Sequence, residues 1–149
     1  LPYLGGSLRV QYAACNSRKG RWSLDEPAGL LRVELPDPTS DSWRIGALQS
    51  FEKQRTQELV QEYLRQYLPL LAAPAAVRFR IMQSRWGSCS GRTHSLSFNA
   101  RLCERPHAFI EYVVVHELCH FLHGNHSADF WREVERYLPD WQARRKLGD

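Results

Sequence analysis

The sequence predicts a single α+β domain in which a small antiparallel sheet packs against a long helix and a metal-binding helix followed by a further helix. Short alternating segments fill the first part of the chain, and apolar residues then recur at helical spacing. A His-Glu-x-x-His pattern follows inside an apolar run. A length of 149 residues with 43% hydrophobic residues suits one domain, with its sheet at about 1–45 and its helical, metal-binding part at about 46–149.

Composition and charge limit the classes of protein to which the chain can belong. The four cysteines form no C-x-x-C pair, which favours a reduced, cytoplasmic protein. No apolar run approaches the roughly 18 residues of a membrane span, so no membrane partner is expected. The net charge of +4 permits attraction to acidic partners such as nucleic acid, but no basic run is concentrated enough to specify one.

The first elements follow from hydrophobic periodicity. Residues 8–12, 21–24 and 30–35 have the pattern of strands, and we expect an antiparallel meander closed by the loop 36–41. From about Ile45 to Leu68, apolar residues recur every three or four positions, which predicts a long amphipathic helix ended by Pro69.

Two further strands are predicted at 77–82 and 95–99, joined by a loop at 84–93 that contains Arg85, Trp86 and Ser88. The loop has two interpretations. It is either a flexible turn pinned to the core by Trp86, or the border of a cleft in which Arg85 or Ser88 faces substrate beside a strand edge that binds extended peptide. Spacing alone favours neither interpretation.

The apolar run at 113–122 contains His116, Glu117 and His120. Histidines four residues apart lie on one face of a helix, so both imidazoles can reach one zinc ion at about 2.0–2.1 Å. Glu117 lies beside the pair and is expected to act as the general base. We expect the helix to begin at Pro106 and to end at Gly124 in a left-handed turn. The alternative is a buried helix with two hydrogen-bonded core histidines.

Catalytic zinc usually has three protein ligands and one open position, so a third ligand is needed. His123 lies on the same stripe, but seven residues of helix rise about 10.5 Å, which is too far for it to share one ion with His116 and His120. Glu133 or Glu135 could serve from the next helix. We favour His126, because a turn at Gly124 would return the chain beneath the helix.

The last predicted helix begins with Ser127 as its N-cap and runs to Leu138, packed under the metal helix. Residues 142–149 are expected to form a frayed basic tail.

Several motifs together resemble the YgjP-type metallopeptidase family, which is related to the SprT-like and WLM proteases. They are RWGSC at 85–89, FN at 98–99, YVVVHELCH at 112–120, NHS at 125–127, FW at 130–131 and LPD at 138–140. The resemblance implies a zincin-like domain with one zinc ion on His116, His120 and His126, and Glu117 as base. It also implies that a basic, strand-forming segment precedes Leu1 in the native protein.

The predicted reaction is zinc-dependent hydrolysis of a peptide bond in a peptide or protein substrate. Arg85, Trp86, Ser88 and Asn99 are the candidate substrate-binding residues, and a cation or hydroxyl of the Trp86 loop is expected to steady the oxyanion. Two alternatives remain open. One is a metal-dependent hydrolase of a non-peptide bond such as a phosphoanhydride, and the other is a non-catalytic, metal-stabilised module that binds DNA.

Overall fold

A computed structural model describes all 149 residues. The strands are β1 (Pro2–Tyr3), β2 (Gly6–Ser7), β3 (Arg9–Ala14), β4 (Arg21–Asp25), β5 (Leu30–Leu35), β6 (Ala76–Arg80), β7 (Gly87–Ser90) and β8 (Ser95–Asn99). The helices are α1 (Asp41–Tyr67), α2 (His107–Cys119), α3 (Ala128–Tyr137) and α4 (Trp141–Arg145), with short 3-10 turns at Leu102–Glu104 and Lys146–Gly148. The predicted α+β class is confirmed.

The N-terminal three-stranded sheet has the order β3-β5-β4, which differs from the predicted meander. β4 and β5 are antiparallel, but β3 is parallel to β5 and pairs with it from Arg9 opposite Leu30 to Ala14 opposite Leu35. The central strand is the most buried of the three, with Leu31, Val33 and Leu35 at 0–1% exposure. Local alternation of apolar and polar residues identified the strands. The order in which the strands pair depends on how they pack against the rest of the chain.

Helix α1 begins four residues earlier than the periodicity indicated. The side chain of Ser40 accepts a hydrogen bond from the backbone N–H of Trp43 at 3.4 Å and so caps the first turn. Phe51, Leu59 and Val60 form the buried face. Thr56, also buried, bonds the chain around the Leu102–Glu104 turn and so attaches α1 to the segment that leads into α2.

The second three-stranded sheet has the order β6-β8-β7. β6 and β8 are parallel. This pairing is possible because the connection between them is long enough to contain a third strand. That third strand, β7, lies within the segment predicted as a loop, and it pairs antiparallel with β8 at one edge of the sheet. The prediction of a loop throughout 84–93 was therefore wrong, because four residues of the segment are strand.

Helix α2 is the central helix of the fold. Nine of its thirteen residues are buried, because β7, α1, α3 and α4 all pack against it. The tail expected to be frayed at 142–149 instead contains most of α4 and the 3-10 turn Lys146–Gly148. Arg144 of α4 bonds Glu111 of α2 at 2.5 Å and the backbone oxygen of Ala108 at 3.2 Å, so α4 is held against α2.

No helix of the chain has the length and apolarity to cross a bilayer.

Candidate metal centre

Helix α2 ends at Cys119 rather than near Gly124, and His120 is its C-cap. The next residues continue in a tight turn. The backbone N–H of Phe121 donates to Leu118 at 3.1 Å, and that of Leu122 donates to Cys119 at 3.0 Å. Gly124 is not left-handed, since its φ is not positive. The chain therefore returns under α2 through a tightened last turn rather than through the predicted glycine turn.

This return brings three imidazoles together. The Nε2 atoms are separated by 3.3 Å between His116 and His120, 3.1 Å between His120 and His126, and 3.2 Å between His126 and His116. Ligands of a tetrahedral ion at 2.0–2.1 Å lie about 3.3 Å from each other, so the spacing suits one shared ion. No other three metal-ligating side chains of the protein lie close enough together to share one ion.

Hydrogen bonds to the outer ring nitrogens orient two of the imidazoles. The Nδ1 atom of His120 lies 3.1 Å from the backbone oxygen of His123, which can only accept, so this Nδ1 carries the hydrogen. Its Nε2 therefore presents a lone pair to the other rings. The Nδ1 atom of His116 lies 3.2 Å from the hydroxyl of Tyr112, which can accept a hydrogen from Nδ1 and so leave the Nε2 lone pair free for a metal. Lone pairs that face one another repel, and a cation between them removes the repulsion.

His126 follows the turn and immediately precedes α3. The Ser127 hydroxyl caps α3 by accepting from the N–H of Phe130 at 3.4 Å. Trp131 stacks on the ring of His126 with centroids 5.7 Å apart, and Phe130 stacks on His120 at 4.4 Å. The cap and the two aromatic side chains thus hold the third histidine under the pair on α2.

The surroundings keep His116 and His120 in the neutral form, which is the form that binds metal. Burial lowers the pKa of His116 to about 3, and repulsion by the neighbouring His120 and His126 acts in the same direction. Burial also lowers the pKa of His120, although its hydrogen bond to His123 opposes the shift.

Glu117 projects beside the three histidines and is 5% exposed. Burial raises its pKa to about 7, while the positive charge of Arg85 opposes the change, as the charge of a bound cation would. Strand β7 passes close to this carboxyl at Gly87. A Cβ atom added to Gly87 would lie 3.0 Å from Glu117 Oε2 and 3.0 Å from a methyl of Val113, so only glycine leaves the carboxyl its full space.

Two cavities of about 630 Å³ and 320 Å³ meet at the metal centre and share Arg85, Gly87, His116, Glu117 and His126. Of these two cavities, Trp86 lines the larger one, and Ser88 and Cys89 of β7 line the smaller one. A third cavity, of about 770 Å³, lies beside β4 and α1 and includes none of these residues. The names larger cavity and smaller cavity denote only the two at the metal centre.

Three of the four candidate substrate-binding residues, Arg85, Trp86 and Ser88, thus line the cavities at the metal centre. The fourth, Asn99, is 4% exposed and lines neither cavity. Its amide nitrogen instead donates to the backbone oxygens of Met82 at 2.8 Å and Arg85 at 2.9 Å. Asn99 therefore shapes the segment that carries Arg85 and Trp86.

The other candidate ligands lie outside the histidine group. The side chain of Glu133 pairs with Arg136 at 3.9 Å, and Glu135 is exposed on α3. His123 contributes its backbone oxygen to His120 rather than its ring. His94 stacks on Phe121 with centroids 3.9 Å apart and bonds the oxygen of Ala73.

Sequence reasoning did not identify Tyr112 or Arg145 as site residues. Tyr112 lies four residues before His116, a spacing that predicts contact on a helix and was the available signal for it. Arg145 lines the larger cavity from α4, within the segment expected to be frayed, so no local pattern pointed to it.

We expect Tyr112→Phe to weaken metal binding by about 10- to 100-fold, because Nδ1 of His116 loses its partner and the ring loses its orientation. The chain offers a matched control in Tyr63, whose hydroxyl bonds Nδ1 of His107 at 2.9 Å away from the metal centre. Competition with a chelator at fixed pH measures both dissociation constants. Equal weakening in Tyr63→Phe would show that the loss reflects a general loosening of the fold rather than orientation of His116.

The family model for the YgjP-like metallopeptidase domain matches residues 1–147. Among solved structures, the metallopeptidase zymogen abylysin of Pyrococcus abyssi is 21% identical, with a TM-score of 0.48, and the match covers 62% of this chain and 87% of that one. The zymogen jannalysin of Methanocaldococcus jannaschii is 24% identical, with a TM-score of 0.47, and the match covers 60% and 81%. No curated protein matches this chain.

Proposed function

The chain belongs to the YgjP-like metallopeptidase family and is a metallopeptidase, and we propose that it cleaves peptide bonds with one zinc ion held by His116, His120 and His126. The observation that carries the proposal is the convergence of three Nε2 atoms within 3.1–3.3 Å of one another. Three imidazoles with an open fourth side form the ligand set of a catalytic zinc rather than a structural one.

When bound, zinc supplies a Lewis acid that polarises the substrate carbonyl and lowers the pKa of a water molecule. Glu117 accepts the proton of the attacking water and returns it to the leaving amine. The carboxyl is buried, and the glycine at position 87 leaves it room beside the ligands. The guanidinium of Arg85 adds positive charge on the wall where the carbonyl oxygen becomes negative.

The proposed substrate binds as an extended peptide along the free edge of β7. One edge of β7 pairs with β8, and its other edge has no strand partner. Ser88 and Cys89 of this strand line the smaller cavity together with His120. An added strand would satisfy the free backbone groups of β7 and place a peptide carbonyl between Glu117 and the histidines.

A mixed peptide library tests this function directly. We expect protein with about one zinc per chain to cleave a subset of the peptides, chelation to abolish cleavage, and added zinc to restore it. Mass spectrometry of the products measures cleavage, and elemental analysis of the protein measures its zinc content. If protein that elemental analysis shows to be free of metal still cleaved peptides, the proposal would be contradicted.

A further inference from the structure

The two arginines of α4 differ in their surroundings. Arg144 is bonded to Glu111 at 2.5 Å and to Asp140 at 2.8 Å, and its side chain is only 19% exposed. Arg145 is exposed, forms no ion pair, and lines the larger cavity at the metal centre. Arg144 thus fixes the helix, and the helix presents Arg145 to the cavity as an unpaired cation.

Aromatic side chains define where Arg145 lies relative to the ligands. Its guanidinium carbon is 5.4 Å from the centroid of Trp131, the same ring that stacks on His126. Trp131 stacks in turn on Trp141 of α4 with centroids 4.3 Å apart. Burial raises the pKa of Tyr112 and the positive charge of Arg145 opposes that shift, while at His116 the same charge adds to the lowering of the pKa by burial and by the neighbouring histidines. Arg145 is therefore close to the reacting centre and partly held in place by an aromatic surface.

The larger cavity at the metal centre contains two acidic residues, and neither of them pairs with Arg145. Its acidic residues are Glu117, which is buried and serves the chemistry, and Asp149, which is exposed and forms no ion pair with Arg145. The other charged group beside the centre is Arg85, also a cation. Because neither carboxylate of the cavity pairs with Arg145, its guanidinium is free to pair with an anionic group of a peptide that enters the cavity.

We propose that Arg145 is a specificity-determining residue that selects peptides with a glutamate or aspartate side chain on one side of the scissile bond. Arg145 lines the larger cavity and is absent from the smaller one along β7, and the two cavities meet at His116 and Glu117. A substrate that crosses the centre therefore meets Arg145 with only one of its halves. The inference rests on the proposed function, since it takes the shared part of the cavities as the position of the scissile bond.

Paired peptides that differ only by Glu or Gln at each position near the cleavage site test the inference. We expect the zinc-loaded protein to cleave the acidic member about three- to tenfold better at positions on one side only. Arg145→Gln should abolish this difference. Arg65→Gln is the matched control, because Arg65 is exposed on α1, forms no ion pair and lines none of the cavities described above. Raising the salt from about 0.05 M to about 0.5 M should reduce the preference.

A second measurement uses binding rather than cleavage. Zinc-loaded Glu117→Gln, with and without Arg145→Gln, is titrated with the same fluorescent Glu and Gln peptides. Tighter binding of the acidic peptide that disappears with Arg145→Gln supports the inference, even if the parent protein cleaves nothing. A lack of cleavage by the parent would count against the proposed function alone. Cleavage without an acidic preference, an acidic preference retained in Arg145→Gln, or equal binding of both peptides would overturn the inference and leave the proposed function standing.

Discussion

Glu117→Gln is expected to hold zinc as the parent protein does and to lose hydrolysis by about 10²- to 10⁴-fold, the usual contribution of a general base. Glutamine keeps the size of the side chain and its packing against Gly87, but it cannot take a proton. Glu117 is not a member of the group of three ligands, so metal content should not change. Elemental analysis and initial cleavage rates on one peptide measure the two properties separately.

Glu52→Gln provides the matched control for this variant. Glu52 is a second buried glutamate, 7% exposed on α1, and burial next to Glu104 raises its pKa to about 7 as well. It lines neither cavity at the metal centre. We expect this variant to retain hydrolysis. If Glu117→Gln hydrolysed as fast as the parent, Glu117 would not be the base, and if it lost its zinc, Glu117 would instead support the metal site.

The parts of the fold that could be predicted are those set by neighbours within one or two turns. Spacing of three and four residues located α1, and Ser127 located the start of α3. The HExxH spacing predicted metallopeptidase chemistry, and the match of residues 1–147 to the family confirms it. The single-domain boundaries and the zinc ligands remain predictions, although the histidines chosen from the sequence are those that the structure brings together.

The parts that were missed depend on contacts between distant residues. The order of the first sheet is decided by which strands pack beside β5, and residues 9–14 pair with residues 30–35 across a separation of 21 positions. β7 is short, and its identity as a strand depends on pairing with β8. The indole of Trp86 donates to the backbone oxygen of Gly148 at 3.3 Å, 62 positions away, so the ordered C-terminal segment had no local signal.

His126→Ala is expected to lower zinc affinity by more than the roughly 100-fold that loss of a supporting hydrogen bond can cause, because one of three direct ligands is removed. His126 is exposed at the end of a turn, so alanine there should leave the fold intact. Competition with a chelator measures the affinity, and circular dichroism checks the fold.

Two alanine variants separate ligand loss from loss of any nearby histidine. His94→Ala removes a ring that bonds Ala73, outside the metal centre. His123→Ala keeps the backbone oxygen that accepts from His120, so the orientation of that ligand should survive. Both variants should hold zinc near the parent level. Unchanged zinc in His126→Ala would remove His126 from the site and direct attention to Glu133, while loss of zinc in folded His123→Ala would mean that the ring of His123, and not only its backbone oxygen, supports the metal site.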